Sequence, residues 1–305
     1  MPREQAARAI AQWRELVSRP YDTVADARRN VEEFYAQFAV PKDVSVESVA
    51  MAKASADWLK TPGVEHDRVV LYLHGGAYVL GSAHVYREMT SRIARAARAR
   101  TLVLDYRLAP ENPFPAAVED AVAAYRWLLD QRIEPSSIVI VGDSAGGGLT
   151  LATLVSLREA GTPMPAGAVC ISPWIDLECT GGTIETKAAV DPLCTREFLL
   201  PQAAAYLGGE SPHNPLASPF YADLRDLPPI LIQVGTEETL LDDAYRLEQR
   251  ARTAGVAVEL KVFDAMPHVW HVFASYLPEA QDAINEIGGF VRRRTTKSQS
   301  ARRPI

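Results

Sequence analysis

The chain is short of several things that specialised proteins depend on. Its three cysteines, Cys170, Cys179 and Cys194, are an odd number without a C-x-x-C pair. That excludes a disulfide framework and a thiolate zinc site, and it makes a reducing cytoplasm the expected location. Positive charge is in deficit, with 32 Lys and Arg against 38 Asp and Glu for a net charge of −6. A nucleic-acid binder needs a basic face, so that class is excluded. No apolar run reaches the ~18 residues of a membrane span, so no span and a soluble chain are expected. The opening Met1-Pro2-Arg3-Glu4-Gln5 is charged and leads into no unbroken apolar core, so no signal peptide is expected either. Histidines number only six, a scarcity that narrows the search for a catalytic base.

What the chain does have is size and apolar content. At 305 residues and 48% hydrophobic, it suits one large domain, or one domain carrying an insertion. The stretch that organises it is Val141-Gly142-Asp143-Ser144-Ala145-Gly146-Gly147-Gly148. The β-branched run Ser137 to Val141 before it reads as a buried strand, and Leu149 to Arg158 after it reads as a buried helix stopped by Gly161. Gly142-Asp143-Ser144-Ala145-Gly146 is therefore a G-x-S-x-G in a strand-to-helix turn, the setting of a nucleophile elbow. Small residues at Gly142, Ala145, Gly146 and Gly147 let the backbones of so sharp a turn pass one another. By itself the pattern also fits an ordinary glycine-rich βα turn, so the rest of the chain has to decide.

In chain order, residues 4–18 and 23–39 read as two amphipathic helices, serving as packing elements or as a lid, and Ser45 to Leu59 as two exposed strands at a sheet edge. Strands then alternate with helices: strands at 68–73, 101–106, 137–141, 166–172, 228–234 and 256–263, helices at 84–99, 115–130, 149–158, 240–255 and 270–294. This alternation predicts an α/β fold with a mostly parallel, doubly covered sheet, whose site lies beyond the carboxyl ends of the strands. Pro173 to Leu227 breaks the rhythm as an insertion, helical near Thr195 to Tyr206, and residues 296–305 read as a frayed basic tail.

An elbow serine needs a base, and the base needs a carboxylate to orient it. In the hydrolase order of serine, acid, histidine, only His268 and His271 lie late enough. His268 follows the last strand in a loop, and His271 belongs to the closing helix, so His268 is the expected base. The acid should leave the strand at 228–234, where Glu237 and Glu238 are loop candidates and Asp242 and Asp243 open the next helix. Spacing does not separate the two glutamates. His74-Gly75-Gly76-Ala77 follows an earlier strand, and its glycine amides suit an oxyanion hole. The expected donors are the Gly75, Gly76 and Ala145 N–H groups.

These motifs, with Asp105-Tyr106-Arg107-Leu108-Ala109-Pro110-Glu111 and the Pro267-His268 loop, resemble the hormone-sensitive-lipase-like (bacterial family IV) carboxylesterases of the α/β-hydrolase fold. The resemblance spans nearly the whole chain and implies a helical cap from residues 1–40 and an insertion near 174–215, over a catalytic domain at 41–295. It places the acid at Glu238, with Glu237 and Asp242 as alternatives, although the family usually has Asp there. It further implies short-to-medium acyl esters as substrates, no metal or cofactor, and a homodimer paired through an edge strand, for which Val256 to Phe263 is the candidate. Asp105, Arg107 and Glu111 read as a structural polar network behind the oxyanion loop. Two alternatives remain in view: an amidase or peptidase using the same triad, and a ligand-binding protein on a hydrolase scaffold.

Overall fold

The computed structural model describes residues 2–295; the basic tail expected at 296–305 lies outside them. Eight strands form one sheet in the order β1-β2-β4-β3-β5-β6-β7-β8. Their ranges are β1 Ser45–Ala50, β2 Ser55–Lys60, β3 Glu65–Leu73, β4 Ala99–Asp105, β5 Ile138–Asp143, β6 Gly167–Ile171, β7 Ile230–Glu237 and β8 Val258–Pro267. β1 and β2 pair antiparallel at one end, and every pair from β4 onward is parallel. The helices are α1 Pro2–Ser18, α2 Val24–Tyr35, α3 Arg87–Ala97, α4 Ala116–Asp130, α5 Ala145–Glu159, α6 Thr183–Thr186, α7 Arg196–Leu207, α8 Leu241–Thr253 and α9 Pro278–Arg294.

Period-two alternation explains how one sheet carries two cores. Val69, Leu71 and Leu73 of β3 join Ile138 and Ile140 of β5 in a layer with Tyr125 of α4 and Leu154 of α5. Val70 and Tyr72, with Val139 and Val141, face the opposite way onto Trp13, Phe34, Ile93 and Phe290 from α1, α2, α3 and α9. Both faces are covered, which is why these strands read as continuous apolar runs.

Two expectations are corrected. β2 is buried through Ala56–Leu59, because both its faces are covered, Ala56 and Trp58 lying in one core and Leu59 in the other, and only β1 is exposed. The closing helix does not begin at Trp270: a 3-10 turn, Trp270–Phe273, carries His271, and α9 starts only at Pro278, whose ring suits a first helical turn.

The strand order places the site. β4 lies on one side of β3 and β5 on the other, so the chain reverses its direction of travel across the sheet at β3. Crevices open at the carboxyl ends of strands at such a point. There His74-Gly75-Gly76-Ala77 leaves β3 and Ser144 leaves β5.

Candidate active site

Ser144 sits between β5 and α5 with φ 53° and ψ −121°, a conformation few L-residues adopt. Its backbone is tied down: the Ser144 N–H donates to the Ile171 carbonyl (2.8 Å), and the Ser144 carbonyl accepts from Trp174 N–H (3.0 Å). A Cβ on Gly146 would run into the Leu73 carbonyl oxygen, so only glycine lets α5 start this close to β3.

His268 and Glu238 meet at the end of the two neighbouring strands β7 and β8. His268 Nδ1 lies 2.9 Å from Glu238 Oε2, and both side chains are almost wholly buried. The second Glu238 oxygen, Oε1, accepts from the Gly235 N–H (2.6 Å) and from Ser172 Oγ (2.8 Å). Burial pushes the Glu238 carboxyl above its ordinary range, and the His268, Gly235 and Ser172 donors pull it back. Burial works against charge on the His268 ring as well. The charge of the Glu238 carboxylate and the hydrogen bonds to it and to the Cys194 sulfur outweigh it, and the ring sits well above its ordinary pKa. Burial holds the Cys194 thiol up at about 11, so near neutral pH it is a protonated neighbour of the imidazole.

Ser144, His268 and Cys194 line one cavity of about 190 Å³, together with Gly76, Ala77 and Trp13. Its remaining walls are mostly apolar and include residues of α1, α2 and α7 and of the Val79–Gly81 turn.

The alternatives for the acid point elsewhere. Glu237 faces Lys187 (3.6 Å), and Asp242 Oδ2 accepts the Gly182 N–H (2.8 Å). Asp243 accepts the Ile175 and Asp176 amides. His271 is fully buried with Nε2 2.8 Å from Gln233 Oε1 and is not among the cavity-lining residues.

One expected oxyanion donor is engaged by a neighbouring side chain. The Gly75 N–H donates to Asp143 Oδ1 (3.0 Å) and does not line the cavity. The buried Asp143 carboxylate, whose pKa burial lifts to about 6, collects the Tyr72 and Tyr86 hydroxyls at its two oxygens as well. A buried carboxylate has to be satisfied, and Gly75 is spent on it. The residues of this turn that line the cavity are Gly76 and Ala77. Ala77 was not among the expected donors; the sequence signal was Asp143 itself, a carboxylate beside the serine that needs amide partners.

The Asp105–Glu111 stretch is structural. Asp105 accepts the Ala83 N–H, Arg107 forks onto Asp120, and Glu111 pairs with Arg28. Ser172, which links Glu238 to the His268 loop by also accepting the Val269 N–H (3.3 Å), escaped the sequence reading. Nothing in the short Ser172-Pro173 sequence announces it.

Comparison with known proteins places this geometry in context. Residues 70–272 match a family described as having the alpha/beta hydrolase fold. The chain is 48% identical over 264 residues, 87% of each partner, to an acetyl-hydrolase of Streptomyces hygroscopicus. It is 34% identical to an esterase of Acinetobacter venetianus over 248 residues, 81% of this chain and 82% of that one. Among solved structures, an esterase from the bacterial hormone-sensitive lipase family superposes with a TM-score of 0.95 at 52% identity, covering 96% of this chain and 99% of that one. Among the described residues, no helix is long and apolar enough to cross a membrane.

Proposed function

The chain belongs to the hormone-sensitive-lipase-like carboxylesterases of the α/β-hydrolase fold and is a carboxylic ester hydrolase, and from that premise we propose that it cleaves esters through Ser144, His268 and Glu238. The observation that carries this reading is the 2.9 Å contact of Glu238 with His268 Nδ1, which leaves Nε2 of a cavity-lining imidazole for a cavity-lining serine.

Ser144 Oγ attacks the ester carbonyl while His268 takes its proton; His268 then hands that proton to the departing alcohol. Glu238 holds the ring in the tautomer with its proton on Nδ1 and stabilises the imidazolium. The tetrahedral oxyanion is held by the Gly76, Ala77 and Ala145 amides, the last of them at the positive end of α5. Water, activated by the same imidazole, then releases the acid from the acyl-serine. The side chain of Glu is longer than the usual Asp, and the Gly235 amide and Ser172 hydroxyl steady it at Oε1.

α1, α2 and the 174–215 insertion act as a cap that bounds the cavity, which favours short-to-medium acyl groups. β8 stands at the open edge of the sheet, and it pairs two copies of the chain in a homodimer; sedimentation tests this, with a monomer at micromolar concentration as the contrary result.

The deciding assay is hydrolysis of p-nitrophenyl esters from acetate to palmitate by wild type, Ser144→Ala, His268→Ala and Glu238→Ala. Activity should peak at short-to-medium chains. Ser144→Ala and His268→Ala should each lose about 10³-fold or more in kcat. Full turnover by Ser144→Ala would overturn the assignment.

A further inference from the structure

The two N-terminal helices do more than roof the cavity: each sends one side chain to the main chain of a different loop at the reaction centre. Trp13 of α1 is 2% exposed, and its indole N–H donates to the His268 carbonyl oxygen (2.9 Å). The ring cannot swing away, because it stacks on Phe34 of α2 with centroids 5.0 Å apart and meets Phe273 edge-on at 4.9 Å. His268 is thus gripped three ways: at Nδ1 by Glu238, at its carbonyl by Trp13, and through the next residue by Ser172. Val269, that next residue, has φ 47°, a conformation a valine holds only when its surroundings impose it.

Arg28 of α2 does the same for the opposite loop. Its Nε donates to the Val79 carbonyl (2.9 Å), one terminal nitrogen donates to the Ala109 carbonyl (2.9 Å), and the fork closes on Glu111 (2.8 and 2.7 Å). Val79 belongs to the turn that starts at Gly76, closed by the Val79 and Leu80 amides on the Gly76 carbonyl. Arg28 therefore holds from outside the turn that presents the Gly76 and Ala77 amides. The Glu111 side chain is 54% exposed, so the ion pair is screened and contributes little. The two carbonyl bonds are the ones that position the turn, and only a planar guanidinium reaches both and Glu111 at once.

We propose that Trp13 and Arg28 are positioning residues of the ester hydrolysis, one holding the base and the other the oxyanion turn. The proposal rests on the assignment of Ser144, His268 and the Gly76–Ala77 amides above. It follows that docking of the N-terminal helices sets kcat and not only access to the cavity, since small displacements of catalytic groups are costly.

The test uses the full chain with Trp13→Phe, which keeps an aromatic ring against Phe34 and Phe273, and Arg28→Lys, which keeps a charge for Glu111. kcat and KM are measured with p-nitrophenyl acetate and octanoate, beside the inhibition constant of a trifluoromethyl ketone, whose hemiketal carries the oxyanion. One lost hydrogen bond corresponds to about three- to tenfold. kcat should fall by that factor equally for both esters, with KM within about twofold, and Arg28→Lys should weaken the ketone by the same factor as kcat/KM. A change confined to KM and growing with acyl length would reduce the helices to a lid and overturn the proposal, as would wild-type kinetics in both variants. Should Trp13→Phe lose its folded circular-dichroism signal, the substitution Arg28→Lys at a partly exposed position decides on its own. Ser144→Ala is run in parallel. If it is inactive while the two variants match wild type, only this proposal falls; if it stays active, the underlying assignment falls.

Discussion

The elbow and the acid–base loops sit a few residues apart in space and are built on opposite principles. Around Ser144 the chain is specified by what is missing: at Gly146 there is no room for a Cβ against the Leu73 carbonyl, and β5 is buried from end to end. Around Glu238 and His268 it is specified by what is present, polar side chains that hold one another, with Ser172, the Gly235 amide and Trp13 each supplying a donor. Steric exclusion acts between backbone segments and tolerates no partial version. A hydrogen-bonded cluster loses one member at a time, and each loss is graded.

The contrast can be broken most sharply at Glu238. Glu238→Gln keeps the shape and removes the charge, and kcat should fall by about 10²- to 10⁴-fold, the range from general-base loss to loss of the correct tautomer. The pH profile carries the sign. The base works unprotonated, and a neighbouring carboxylate stabilises the imidazolium, so the acid limb of kcat/KM should lie above the ordinary histidine value in wild type. In Glu238→Gln that limb should move to lower pH; a limb that stays in place would show that the carboxylate does not govern the ring.

Next is Gly146→Ala. A single methyl group forced against the Leu73 carbonyl should cost about 3 kcal/mol or more in urea unfolding, or prevent soluble expression. A variant within 0.5 kcal/mol of wild type, an order-of-magnitude margin for surface changes, would mean that the elbow is not sterically specified.

A third measurement sets two histidines three positions apart against each other. Burial holds the His271 ring down to about 3, whereas in an unfolded chain it protonates near ~6.5. The unfolded state therefore binds the extra proton first. The stability is complete above pH ~6.5 and is lost as pH falls toward 3, by up to about 1.4 kcal/mol per pH unit from this ring. Urea unfolding at pH 7.5, 6 and 5 should show a shallower decline in His271→Gln, and parallel declines would assign the acid sensitivity to other groups.

Ser172→Ala removes one donor of several and should lower kcat by about three- to tenfold while costing about 1 kcal/mol in stability. Smallest of all, Glu237→Gln loses a 3.6 Å ion pair with the partly exposed Lys187 while keeping an acceptor for the Thr236 hydroxyl, and should change kcat by less than about twofold. A large loss at Glu237 with none at Glu238 would invert the acid assignment.

The same contrast explains what could be read from the residues alone. The elbow, the parallel strands and the His-Gly-Gly turn were legible because their causes are local: small residues where backbones cross, β-branched runs where both sheet faces are covered, proline and glycine where helices start and stop. Glu237 and Glu238 are chemically identical neighbours, so no local pattern orders them. What separates them is which one leaves β7 facing β8, and that depends on the bulge in register between Gly235 and Glu237. Gly75 and Gly76 are alike in sequence, and only the Asp143 carboxylate that accepts the Gly75 N–H tells their amides apart. Trp13 and Arg28 were readable as parts of amphipathic helices, but their bonds to His268 and Val79 span 255 and 51 positions. The sequence by itself determined the fold class and the placing of Ser144 and His268 in turns just beyond strands, because steric and periodic constraints are written within a few residues. Only the tertiary structure decided which carboxylate lies against His268, which residues of the His-Gly-Gly turn line the cavity and what holds them there, because a hydrogen bond between distant residues has no signature until the chain has brought them together.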